Sequence, residues 1–180
     1  MLSVLITILS ISLSFLAIST TLNLKDDVDP EVFGHELYFE SISIANITGN
    51  AQELSKPFID NKTNTIKNFS VSFDEYNDSI DYIINIVNGS KVDSVVSSIT
   101  YTEPVCYSSG PNAIKDAEMV CDNIAFKVTY DSGEDVKIGD SLKSHSKDYL
   151  KITISYLGEY LPSNTVEIEN LSVTIIYTQK

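Results

Sequence analysis

The chain is short of basic residues, histidine, cysteine and tryptophan, and each shortage removes a class of function. Twelve lysines and arginines stand against twenty-five acids, a net charge of −13 over 180 residues. Such a surface repels phosphate backbones, so nucleic acid is excluded as a partner. It also repels anionic headgroups, so any membrane attachment must come from apolar contact. There are two histidines, His35 beside Gly34 and His145 in the polar run Ser141–Lys147. Neither belongs to a G-x-S-x-G, H-E-x-x-H or S-x-x-K arrangement, and both read as solvated loop residues. No catalytic residue, cofactor site or metal site is assigned, and the chain reads as a non-enzyme. Two cysteines alone cannot build a structural zinc site. Tryptophan is absent, while ten tyrosines and seven phenylalanines supply aromatic bulk suited to strands.

Charge is also missing from the whole of residues 1–24, whose run LSVLITILSISLSFLAIS is apolar or small-polar. About 20 apolar residues span a bilayer, so this length fits a signal-peptide core or a membrane anchor. Ala17-Ile18-Ser19 places small residues at −3 and −1 of a cleavage before Thr20. The first charges, Lys25, Asp26, Asp27, Asp29 and Glu31, make a flank compatible with the outward side. The expected organisation is residues 1–19 as signal peptide or membrane-anchor helix, apolar to about residue 24, and 20–180 as one ectodomain. The remainder is the size of one ordinary domain, with no linker long enough to divide it.

Hydrophobic residues make up 43% of the chain and fall in periodic runs, which excludes a disordered polymer. The period is two. Ile80, Tyr82, Ile84 and Ile86 alternate with more polar neighbours, as do Ile124, Phe126, Val128 and Tyr130. So do Leu150, Ile152, Ile154 and Tyr156, and the shorter set Phe69, Val71 and Phe73. Each reads as a strand with one face in the core and one in water. Two strands change parity: Val166 and Ile168 against Leu171, Val173 and Ile175, and Phe39 against Ile42. The spacing predicts a β-bulge at Glu169-Asn170 and a similar slip after Phe39. Asn88-Gly89 predicts a tight hairpin. No helical periodicity stands out after residue 24. Many short strands without a βαβ rhythm predict an all-β fold, an antiparallel Ig-like or Greek-key β-sandwich preceded by one N-terminal apolar helix.

Cys106 and Cys121 behind a secretory segment predict a disulfide around a stapled loop containing Gly110-Pro111. The acidic clusters Asp26-Asp27-Asp29 and Asp131-Glu134-Asp135 match no calcium-loop spacing and read as solvated surface. Asn46, Asn61, Asn68, Asn77, Asn88 and Asn170 each begin an N-x-S/T sequon, which in an Asn- and Ser-rich bacterial chain is compositional. Leu161-Pro162-Ser163-Asn164-Thr165 lacks the Thr, Gly and tail of a sortase signal.

The runs SLSFLAISTTLNL, NDSIDYIINIVNGSKVDSVVSSI and LPSNTVEIENLSVTIIYTQ, with the stretch from Pro104 to Asn123, resemble a family of surface proteins of Gram-positive gut bacteria and their relatives. The resemblance covers nearly the whole chain. It implies an N-terminal signal or anchor helix and an immunoglobulin-like sandwich, and it brings no catalytic residues. The family's cleavage-like triplet maps to Ser14-Phe15-Leu16, where leucine is a poor −1 residue, which favours a retained anchor. The layout is also similar to that of TasA-type and camelysin-type matrix proteins.

These readings imply an extracytoplasmic, cell-surface protein, membrane-anchored or secreted, with a structural or adhesive role. Its partners would be the membrane, through an uncleaved N-terminal segment, and copies of itself. Self-association is expected by strand addition, with Thr20–Leu24 and Leu171–Tyr177 each adding to a neighbour's sheet edge. The alternative is a module binding carbohydrate or a host protein through loops near Tyr76, Tyr101, Tyr107 and Tyr160. A pilin-like subunit is a lesser alternative, disfavoured because the first acid, Asp26, lies beyond the apolar run.

Overall fold

The computed structural model describes residues 37–180; the N-terminal segment, His35 and the Asp26–Asp29 cluster lie outside the described residues. The alternating runs form eleven strands: β1 Leu37–Thr48, β2 Gln52–Ser55, β3 Phe58–Asp60, β4 Thr65–Phe73, β5 Ser79–Asn88, β6 Ser94–Tyr101, β7 Val105–Tyr107, β8 Ile124–Tyr130, β9 Ser141–Leu142, β10 Ser146–Tyr156 and β11 Val166–Gln179. One helix, α1 Ala113–Cys121, lies between β7 and β8. The strands make two antiparallel sheets. One runs β1-β5-β10-β8; the other runs β2-β4-β11-β6-β9, with β3 also pairing β4 and β7 also pairing β11.

The registers show why the period of two decides the packing. In the first sheet Ile44, Tyr82, Ile152 and Val128 are opposite one another across four strands. Ile42, Ile84, Leu150 and Tyr130 make the next such row. In the second sheet Val71 faces Ile168, Phe73 faces Val166 and Phe69 faces Leu171. Apart from Ile44, which is partly exposed, these inward rows form one apolar core between the sheets. Each fully buried isoleucine or phenylalanine contributes roughly 1.5–3 kcal/mol relative to exposure. Phe69 meets Tyr82 edge-on across the core, with ring centroids 5.5 Å apart. At the far side Tyr101 stacks on Phe126 at 5.1 Å.

Both parity changes are bulges. The β11 ladder skips between Ile168 and Leu171, with Asn170 at φ 59°. The β1 ladder skips between Phe39 and Ser41. In each case one extra residue returns the inward face to the core.

Two expectations are corrected. Asn88-Gly89 is not a hairpin: β5 and β6 belong to different sheets. Asn88 is fully buried, and its amide accepts from Ser90 N–H at 3.1 Å and Ser90 O–H at 2.7 Å. It also donates to the carbonyls of Val92 and Leu142, so the side chain builds a buried corner that carries the chain across the core. The second correction is α1, which the alternation did not reveal. Its buried Asp116 accepts from Tyr160 O–H at 2.7 Å and Ser163 N–H at 3.1 Å, tying the helix to the β10–β11 connection.

Candidate functional site

A sheet edge carries unpaired N–H and C=O groups, and it recruits another strand unless the sequence obstructs it. In the first sheet β1 is such an edge: twelve residues long and, among the described residues, paired with β5 on one side only. It carries a single charged residue, Glu40, whose carboxylate accepts from Lys147 Nζ at 2.8 Å. Proline and lysine, the usual edge blockers, are absent from it.

The facing edge of the second sheet is too short to cover β1. It consists of β2 and β3, four and three residues long, separated by Lys56-Pro57. Proline has no N–H to continue a ladder, so the edge breaks there. Apolar side chains of β1 are therefore left uncovered: Ile44 is 39% exposed and Ile47 44%. Ile44 and Ile47 are opposite the fully buried Tyr82 and Ile80, so they point inward, and among the described residues no strand lies over them.

Between these edges lies a hollow of about 250 Å³, lined by the apolar Ile42, Ile44 and Pro57, the polar Ser43, Glu53 and Lys56, and Tyr82. Tyr82 is 1% exposed, and its hydroxyl is buried without a partner at full hydrogen-bond distance and angle. Burial holds this phenol well above the usual tyrosine range, and the Glu53 carboxylate, through its charge and through hydrogen bonding to the hydroxyl, pushes it further.

At the start of β1 the edge is already occupied. Asn61, in the turn after β3, accepts from Phe39 N–H at 2.8 Å and donates to Phe39 C=O at 3.1 Å. The open part of the edge begins beyond that clasp.

The other residues named from sequence fall elsewhere. Cys106 and Cys121 form a disulfide with Cα atoms 5.8 Å apart, joining β7 to the C-terminal end of α1. His145 is an exposed turn residue at φ 50°. Asp131, Glu134 and Asp135 are exposed, and Asp135 pairs with Lys127 at 3.0 Å. Among the described residues no three His, Cys, Asp or Glu side chains converge as metal ligands. Tyr76, Tyr101 and Tyr107 are exposed; Tyr101 is also stacked on Phe126, and Tyr160 is bound to Asp116. The structure does not bring the four tyrosines into one hydrogen-bonded or stacked group.

Several sequon asparagines have backbone or packing roles. Asn68, Asn77 and Asn170 adopt positive φ, the left-handed region that asparagine tolerates better than most residues. Asn88 and Asn61 spend their amides on the buried corner and the clasp.

Leu171–Tyr177 lies within β11, between β4 and β6, and is not an edge strand as strand exchange required. Sequence reading placed Tyr82 in the core but missed that its hydroxyl is buried beside the Glu53 carboxylate. The one signal was a polar-tipped aromatic in a row of isoleucines. Compared with family models, curated proteins and solved structures, the chain has no match in any of the three.

Proposed function

We propose that this chain is a non-enzymatic, extracytoplasmic surface or matrix protein, an immunoglobulin-like sandwich that associates with copies of itself by strand addition at β1. The observation that carries the proposal is the open β1 edge with uncovered, inward-pointing Ile44 and Ile47. A strand laid beside β1 would satisfy its free backbone groups and bury those side chains together. The edge is also locally neutral in a strongly acidic protein, so charge repulsion is weakest there. The Cys106–Cys121 disulfide supports an oxidising compartment, and the apolar run at residues 1–24 supports export. Of the two segments first considered as donor strands, Thr20–Leu24 is retained.

The test is sedimentation and electron microscopy of the full-length chain in mild detergent, beside the double variant Ser41→Lys/Ser43→Lys. Both serines are exposed on β1, so the lysines place cations along the edge without touching the core. Concentration-dependent assemblies that the variant loses are the expected result. A chain that stays monomeric at every concentration, or assemblies indifferent to the lysines, would overturn the proposal.

A further inference from the structure

The open edge of β1 faces a titratable group across the mouth between the sheets. Glu53 of β2 is opposite Val71 of β4, which is opposite Ile168 of β11. Val71 and Ile168 are fully buried, so this row faces the core and Glu53 is its end at the sheet edge. An apolar residue there would extend the core outward. The chain instead places a carboxylate in the hollow beside Ile42, Ile44 and Tyr82.

Few charges surround it. β4 presents Val71 to it, and β1 presents Ile42, Ser43 and Ile44, none of them titratable. β5 presents the Tyr82 hydroxyl, which hydrogen bonds to the Glu53 carboxylate. The link between β2 and β3 presents Lys56, which among the described residues forms no ion pair with Glu53. Glu53 is half-buried in the single chain, so water still reaches its carboxylate. A strand laid beside β1 changes that. Side chains that cover Ile44 and Ile47 also fill the hollow and displace its water. Apolar surroundings penalise a carboxylate strongly and a carboxylic acid much less. β1 brings no compensating cation, since its one charged residue is Glu40, held by Lys147.

We propose that Glu53 controls strand addition at β1 by its charge: the carboxylate opposes pairing, and protonation frees the edge. This rests on the strand-addition reading and adds the regulation of that same site. The sign follows from the form that pairing buries. The paired state favours the neutral acid, so association takes up a proton at Glu53. Assembly is therefore strongest in mildly acidic solution and weakens as pH rises past the carboxyl range.

The test is sedimentation of the full-length chain in mild detergent at about pH 5 and about pH 8. The native chain should assemble at about fivefold lower concentration at the acidic pH, the scale of a carboxyl moved from water to an apolar site. Glu53→Gln keeps the shape and an acceptor for Tyr82 but carries no charge. It should assemble about tenfold more readily than the native chain at the higher pH and lose most of the pH dependence. Glu134→Gln removes the same charge from an exposed loop residue and should behave as the native chain does, which separates the local effect from net charge. Thermal midpoints of both variants confirm that each is folded. Assembly indifferent to pH and to Glu53→Gln, or altered equally by Glu134→Gln, overturns control by Glu53 and leaves strand addition standing. If the native and Glu53→Gln chains are both monomeric at every concentration and pH, strand addition falls and its regulation with it.

Discussion

Asn61 holds Phe39 by both of its backbone groups, accepting the N–H at 2.8 Å and donating to the carbonyl at 3.1 Å. The amide therefore acts as a one-residue strand, and it joins the edge of one sheet to the edge of the other, since Phe39 is in β1 and Asn61 follows β3. Asn61→Ala leaves both Phe39 groups without this partner. The expected cost is about 1–3 kcal/mol, seen as a lower urea midpoint with an unchanged slope. The variant also lengthens the open edge by the residue the clasp had occupied. It should therefore self-associate at lower concentration than the native chain, measured by sedimentation.

The disulfide makes a separate prediction. Cys106 and Cys121 are 15 residues apart, and closing a loop of that size stabilises the fold by about 3 kcal/mol in the chain-entropy model. Neither cysteine carries a sheet by itself: β7 is three residues long, and Cys121 ends α1. Cys106→Ser/Cys121→Ser should lower the melting temperature while the strand signal in far-UV circular dichroism persists. Mass spectrometry after alkylation without reductant should find neither thiol modified in native material.

Gly49 is fixed by one contact. Its φ is +69°, and a Cβ built there would lie 2.0 Å from Asp78 Oδ1. That carboxylate is buried and already accepts from the N–H groups of Asn50, Asp74 and Glu75 at 2.7–2.9 Å, holding the β1–β2 and β4–β5 turns together. Gly49→Ala would force either the strained backbone or the Asp78 carboxylate to move. The expected loss exceeds about 1 kcal/mol, the scale of an incompatible Gly→Ala change. Thermal denaturation beside Gly133→Ala makes the control: Gly133 also has positive φ but open space around it, so its loss should be smaller.

How far the sequence revealed this molecule follows from which interactions are local. Inward rows such as Ile80–Tyr82–Ile84–Ile86 repeat every second residue, and both bulges showed as parity changes, because a pleated strand writes its faces directly into the order of residues. The helix α1 left too short a trace: nine residues cover two and a half turns, and its hold on the fold comes from Asp116 meeting Tyr160, 44 positions away. Asn88-Gly89 carried a true turn signal that was overridden when the Asn88 amide found Leu142, 54 positions away. The candidate site was illegible for a related reason. Nothing in LYFESISIANIT distinguishes an edge strand from a central one; that is settled by whether another strand occupies its far side.

Stability should fall at both ends of the pH range, through different side chains. Lys67 holds the Asp60 carboxyl below its ordinary value of 3.8, and Lys143 does the same for Asp93. Burial pushes Asp116 upward, but hydrogen bonds from Tyr160, Ser163 and Asn164 outweigh it, so it too is held low. A carboxyl whose folded pKa is depressed contributes stability above its unfolded pKa and loses that contribution as pH falls through the folded one. The acid limb should therefore begin near pH 4 and steepen below it. Three phenols act in the opposite range. Burial raises Tyr82, Tyr130 and Tyr177 well above the ordinary 10.0; Glu53 adds to the first, Asp140 to the second and Tyr130 to the third. Their folded state favours the neutral form, so their contribution is complete below pH 10 and is lost as rising pH ionises the unfolded chain. Melting temperature against pH should thus show a plateau between about pH 5 and 9 with losses on either side. Phenolate absorbance followed through the alkaline limb should show these three tyrosines ionising together with unfolding. Tyr130→Phe should keep the plateau and make the alkaline limb shallower; an unchanged limb in that variant would remove Tyr130 from the account.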